Sequence, residues 1–129
     1  MRYMLTLISE EGGMEDATPE EIKAQLGRWD SYTQELKDAG AFVAGEGLQE
    51  SATAPTVRIG ADDARLITDG PFAETKEQVG GFYLLECENL DQALEWAKRV
   101  PLRSGAIEIR PAMVFDPVGA GDSGAEASA

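Results

Sequence analysis

The chain has 129 residues, 43 % of them hydrophobic, enough for one buried core and too few for two ordinary domains. Eleven basic against 24 acidic side chains give a net charge of −13, which repels a phosphate backbone and sets nucleic acid aside as a partner. With one cysteine and no histidine there is no intramolecular disulfide, no multi-cysteine metal site, and none of the commonest general base, metal ligand or proximal haem ligand. Magnesium or manganese held only by oxygens stays open, but nothing in the spacing argues for one, and neither a metal nor a cofactor is expected.

Arg2 to Ser9 alternates loosely among strand formers, with Tyr3, Leu5 and Leu7 on one face and Met4 and Ile8 on the other, so it reads as a strand covered on both sides. It is too short for a signal peptide, and no apolar run nears the roughly 18 residues of a membrane span, which predicts a cytoplasmic protein without a membrane partner. Ser9 to Glu21 holds six carboxylates and no base, and its spacing matches no calcium loop; it reads as a solvated acidic loop. Thr18-Pro19-Glu20-Glu21 then starts a helix as a capping box with proline at the first position. Ile22, Leu26, Trp29 and Leu36 form its predicted apolar stripe, and Gly40 ends it.

Ala41 to Leu48 is a predicted strand in which Gly45 and Gly47 suggest a bulge or a place where something approaches the backbone. Thr56 to Ile59 and Ala64 to Thr68 flank Gly60-Ala61-Asp62-Asp63 as a hairpin. Gly80 to Glu88 is a strand, with Cys87 as a small core filler; Asn89 caps a second helix that Pro101 stops; Ile107 to Phe115 is the last strand, with Pro111 at an edge or bulge. From Asp116 on, the sequence is small and polar and reads as a flexible tail, leaving one domain over 1–115. The order β-α-β, hairpin, β-α-β is the ferredoxin-like α+β plan, an antiparallel sheet with both helices on one face. Because both strand parities are apolar, the other face needs cover, and a homodimer with a ligand cleft between sheet and partner is the expected solution.

The runs "MRYMLTLI", "ITDGPFAETKEQVGGFYLLE", "LDQALEWAKRVP" and "IEIRPAMVF" together resemble the YCII-related domain family in its DGPF-containing branch, from Met1 to Phe115. The resemblance implies a dimeric α+β barrel and kinship in shape with muconolactone isomerases and small cofactor-free monooxygenases. Because DGPF-type proteins are often encoded beside extracytoplasmic-function sigma factors, it also adds a sigma factor to the expected partners. Other members carry a His–Asp pair suspected of catalysis; only the aspartate has a counterpart in this chain, Asp69.

Asp69 is therefore the candidate general base or ligand anchor at a cleft, against the alternative that it fixes a turn by accepting backbone N–H bonds. A buried carboxylate needs a donor nearby, for which Arg110, Lys76 and Tyr83 are the candidates. Arg2 and Arg110, at adjoining strand ends, are placed to grip an anionic substrate bidentately, or else to pair with Asp69 or Glu108 and hold the sheet. Glu74 and Lys76 form either an acid–base pair or a solvated loop, Gly80-Gly81 a bulge or a pocket floor, and Trp29 and Tyr32 core or pocket wall. Two functions fit: a cofactor-free enzyme moving protons on a small organic molecule with Asp69 as base and Arg2, Lys76, Tyr83 and Arg110 holding the substrate, or a module that binds a ligand or a regulatory partner without turnover.

Overall fold

The computed structural model describes residues 1–115, so the expected tail from Asp116 lies outside the described residues. Six strands and two helices follow in the order β1 (Arg2–Glu10), α1 (Pro19–Asp38), β2 (Phe42–Gly47), β3 (Pro55–Ile59), β4 (Arg65–Asp69), β5 (Glu77–Glu86), α2 (Leu90–Lys98) and β6 (Ala106–Pro111). Four strands form one antiparallel sheet in the order β2-β5-β1-β6, and β3 and β4 form a separate hairpin. The architecture is the ferredoxin-like α+β plan. Among the described residues no helix is long and apolar enough to cross a membrane.

The helix ends follow from local chemistry. Glu21 N–H donates to Thr18 Oγ1 at 3.1 Å while Thr18 N–H donates to the Glu21 carboxylate at 3.4 Å, which closes the capping box and satisfies two otherwise orphaned donors. At the other end Gly40 adopts φ +73, a conformation that terminates the helix and lets Ala41 N–H reach the Leu36 carbonyl at 2.9 Å. The Asn89 side chain accepts the Gln92 N–H at 2.9 Å and starts α2 in the same manner.

The core lies between the helices and one sheet face. Tyr3, Leu5 and Leu7 of β1 and Tyr83 and Leu85 of β5 pack against Tyr32 and Leu36 of α1 and Ala93 and Ala97 of α2, with Cys87 buried beside them. The α1 stripe differs from the sequence reading. Ile22 and Leu26 are 40 % and 59 % exposed, whereas Gln25 and Tyr32 are buried. Gln25 tolerates burial because its amide donates to the Pro101 carbonyl at 2.8 Å and its oxygen accepts Arg28 Nε at 2.9 Å. Tyr32 donates its hydroxyl to the Trp96 carbonyl at 2.8 Å, and burial, reinforced by neighbouring Tyr83, pushes this phenol well above its ordinary range.

The opposite sheet face carries half-buried Met4, Thr6, Ile8, Phe82 and Leu84 and has no helix over it. The β3–β4 hairpin is barely attached to its own core, and Val57, Ile59, Leu66 and Ile67 are each more than half exposed. Strand limits also shift. β5 begins at Glu77, before the expected Gly80, because Glu77 and Gln78 pair with Glu10 and Ser9 across a bulge at Gly80. β6 ends at Pro111, short of Phe115, where its partner β1 begins: Pro111 lies opposite Tyr3 and the last bond across the pair is Ala112 N–H to the Arg2 carbonyl at 2.8 Å.

Candidate functional site

A cavity of about 480 Å³ opens between α1 and the helix-covered face of β2 and β5. Leu26, Trp29 and Thr33 project from successive turns of α1 to form one wall, Phe42 and Tyr83 form the inner end, and Ser9 and Leu102 complete the rim. The floor is nearly bare backbone, where Gly45, Gly47, Gly80 and Gly81 line the β2–β5 pair. Gly45 faces Tyr83 across the ladder and Gly47 faces Gly81. A Cβ on Gly45 would meet the Tyr83 ring at 2.8 Å, and one on Gly81 the Glu46 carbonyl oxygen at 2.7 Å, so these two are glycine because two strands and a ring must come that close. The expected bulge and the expected pocket floor are thus both present at Gly80-Gly81.

Tyr83 organises the inner end. Its ring lies near-parallel to Trp29, 6.4 Å between centroids at 16°, and edge-on to Tyr32 and Phe42 at 5.3 and 6.3 Å. Its hydroxyl and Thr33 Oγ1 are 2.7 Å apart, and either can be the donor. The pair therefore keeps the capacity both to give and to accept a hydrogen bond at the cavity. Glu46 and Phe82 also border the cavity, but strand alternation turns their side chains to the other sheet face, as paired residues in register. What remains is an apolar, aromatic chamber whose polar groups are hydroxyls and main-chain amides.

Of the five residues given a catalytic or substrate-holding role from sequence, Tyr83 lines this cavity and the other four lie outside it; of the two aromatics weighed as pocket wall, Trp29 lines it and Tyr32 is core. Arg2 and Arg110 share the uncovered sheet face, as Met4 opposite Arg110 fixes the register; Arg2 Nε stands 3.9 Å from Glu86 and Arg110 Nε donates to Glu108 at 2.7 Å. The Arg2–Glu86 pair joins β1 to β5, whereas Arg110–Glu108 lies within β6, and each partly exposed pair contributes little. Lys76 and Glu74 are exposed in the loop between β4 and β5. Asp69 ends β4, exposed, and among the described residues its carboxylate has neither a hydrogen-bond nor an ion-pair partner. The turn it opens is held by others: Gly70 supplies φ +92, Thr56 Oγ1 donates to the Gly70 carbonyl at 2.7 Å, and Arg58 lies 5.0 Å over the Phe72 ring while donating to its carbonyl at 3.3 Å.

Thr33, Ser9 and Phe42 were not picked out from sequence. Thr33 follows Trp29 at helical i, i+4 spacing, which is the signal that places both on one wall; Ser9 and Phe42 carry none, since strand register alone brings them here. Among the described residues, no group of three or more acidic or cysteine side chains is placed to hold a metal ion.

The YCII-related domain family matches residues 1–116. An uncharacterized protein of Rhizobium meliloti (strain 1021) is 31 % identical over 120 residues, covering 91 % of this chain and 96 % of that protein. Among solved structures, 5-chloro-2-hydroxyhydroquinone dehydrochlorinase (TftG) from Burkholderia phenoliruptrix AC1100, in complex with 2,5-dihydroxybenzoquinone, aligns with 89 % of this chain and 96 % of its own at a TM-score of 0.46 and 16 % identity. By the extent of the family match and the identity to its full-length relative, this chain belongs to the YCII-related domain family.

Proposed function

We propose that the chain binds a small organic molecule in the cavity between α1 and the β2–β5 floor, without a resident cofactor. The observation that supports this reading is the chamber itself, whose volume of about 480 Å³ falls in the range of small-molecule sites and whose lining pairs aromatic walls with a few convergent hydroxyls. Tyr83→Phe removes the hydroxyl that Thr33 holds and leaves the ring packing intact. It is expected to fold normally and to weaken ligand binding about five- to tenfold, the equivalent of one hydrogen bond of ~1–1.5 kcal/mol. The ligand is sought by native mass spectrometry on protein taken straight from cells and its affinity measured by calorimetry. A protein that retains no compound and is stabilised by no cell extract removes the reading.

Turnover is a second reading, favoured by the Tyr83–Thr33 hydroxyl pair: a phenol held at 2.7 Å by a neighbouring hydroxyl can donate to an oxyanion that develops on a bound substrate. The base role expected of Asp69 finds no support in this geometry, because its carboxylate is exposed and outside the cavity.

We further propose that the functional unit is a homodimer joined through the uncovered sheet face, in the manner of a dimeric α+β barrel. Phe82, Leu84, Met4 and Ile8 offer it an apolar surface, and a two-stranded hairpin with Val57, Ile59, Leu66 and Ile67 exposed is only marginally stable unless something covers it. Sedimentation equilibrium should give twice the chain mass, and Leu84→Glu the mass of one chain; a wild-type monomer at tens of micromolar sinks the dimer.

A further inference from the structure

We propose that the cavity selects a flat, uncharged ring compound and that Gly47 is the residue that sets how deeply the ring seats; this rests on the small-molecule reading above and names its ligand class. The four floor glycines are not equivalent. Gly45 and Gly81 have no room for a side chain, as the Tyr83 ring and the Glu46 carbonyl stand under 3 Å from where Cβ would be. Gly47 and Gly80 have room: a Cβ on Gly47 meets nothing within 4 Å and one on Gly80 only Ser9 Oγ at 4.0 Å. Neither backbone is in the left-handed region, and of the two Gly80 sits at the β5 bulge while Gly47 is in regular ladder. Neither packing nor conformation requires glycine at position 47, and glycine within a strand costs ~0.5–1 kcal/mol relative to alanine. By alternation from Gly45, a side chain at 47 would enter the chamber. What glycine provides there is open floor.

That floor of bare strand backbone faces the Trp29 indole on α1, and the Tyr83 ring lies within 16° of the indole plane. Flat surfaces of this kind reward a flat guest, because dispersion contacts fall off within an ångström of optimal separation and aromatic faces stack offset. Among the described residues, no lysine or arginine lines the chamber, so a carboxylate or phosphate would lose its water without gaining a counter-charge. A polar edge on the ring is met by the Tyr83–Thr33 hydroxyls at one end and by Ser9 at the rim.

The test uses three probes of one skeleton: 2-naphthol, flat and neutral; decahydro-2-naphthol, neutral but not flat; and 2-naphthoate, flat but charged. In a Trp96→Phe background Trp29 is the one tryptophan left to report binding. 2-Naphthol is expected to quench Trp29 and to bind at least tenfold more tightly than either analogue, and Gly47→Val to weaken it at least tenfold while the melting midpoint holds or rises. Should the valine variant melt early, Gly47→Ala gives the same comparison with a smaller intrusion. Decahydro-2-naphthol or 2-naphthoate binding as well as 2-naphthol overturns the ligand class. Unchanged 2-naphthol affinity in both Gly47 variants overturns the role of Gly47. If the probes fail but native mass spectrometry retains a charged or non-planar compound, this proposal falls and the small-molecule reading stands; if both experiments are empty, both fall.

Discussion

Gly105→Ala is expected to be the most damaging single-methyl addition in this protein. Gly105 enters β6 at φ +117, and a Cβ there would stand 2.1 Å from the Ile8 carbonyl oxygen and 3.0 Å from Ser9 Cα. The obstacle is backbone of β1, which is paired on both sides, Ile8 with Val79 of β5 and with Ala106 of β6, so it cannot retreat without breaking a ladder. Backbone strain of ~1–3 kcal/mol and overpacking of similar size add to about 3–5 kcal/mol. Against a typical net stability of ~5–15 kcal/mol, that leaves a marginal fold. Urea unfolding reads the loss directly, and the same exchange at Gly27, where α1 has nothing within 4 Å, should instead raise stability by ~0.5–1 kcal/mol. A Gly105→Ala protein that unfolds with the wild type would mean the β1–β6 connection runs otherwise.

The second large effect is expected at Leu85, fully buried on β5 between β2 and β1. It faces Phe42 and Tyr3 across the two ladders, with a paired strand on either side, so collapse around a deleted side chain is limited. Leu85→Ala is expected to cost about 3–4 kcal/mol from lost transfer energy plus the cavity left behind, lowering the melting midpoint by roughly 12 °C or more. Ile22→Ala, on the exposed side of α1, is the comparison and should stay within ~1 kcal/mol. Equal losses at the two sites would place Ile22 in the core after all.

Those two residues also mark how far the sequence could be read. Helix starts were legible because caps are local: Thr18 with Glu21 and Asn89 with Gln92 make contacts that span three residues. The succession of strands and helices along the chain was legible as well, since alternation and turn residues write it out element by element. The buried face of α1 was not. Ile22 and Leu26 outrank Gln25 in hydrophobicity, yet Gln25 goes inside because a carbonyl at Pro101, far along the chain, meets its amide. Glu77 and Gln78 look like loop and become strand because Ser9 and Glu10 lie opposite. The candidate site follows the same division. Tyr83 and the glycines could be suspected, whereas the Thr33 hydroxyl acquires meaning only when register and helix packing set it 2.7 Å from the Tyr83 oxygen. Asp69 stood out through a motif, and the motif's turn turns out to be fastened by Thr56 and Arg58 instead.

The strand order β2-β5-β1-β6 has a kinetic corollary. β1 is made first, and both of its neighbours, β5 and β6, come from the far end of the chain. Until they are synthesised, an apolar strand with two bare edges has no native partner, and its pairing must then close the longest loops among the described strands, the slowest kind of contact to form. Pairing of the first strand is therefore the step at which a nascent chain of this protein is most exposed to neighbours.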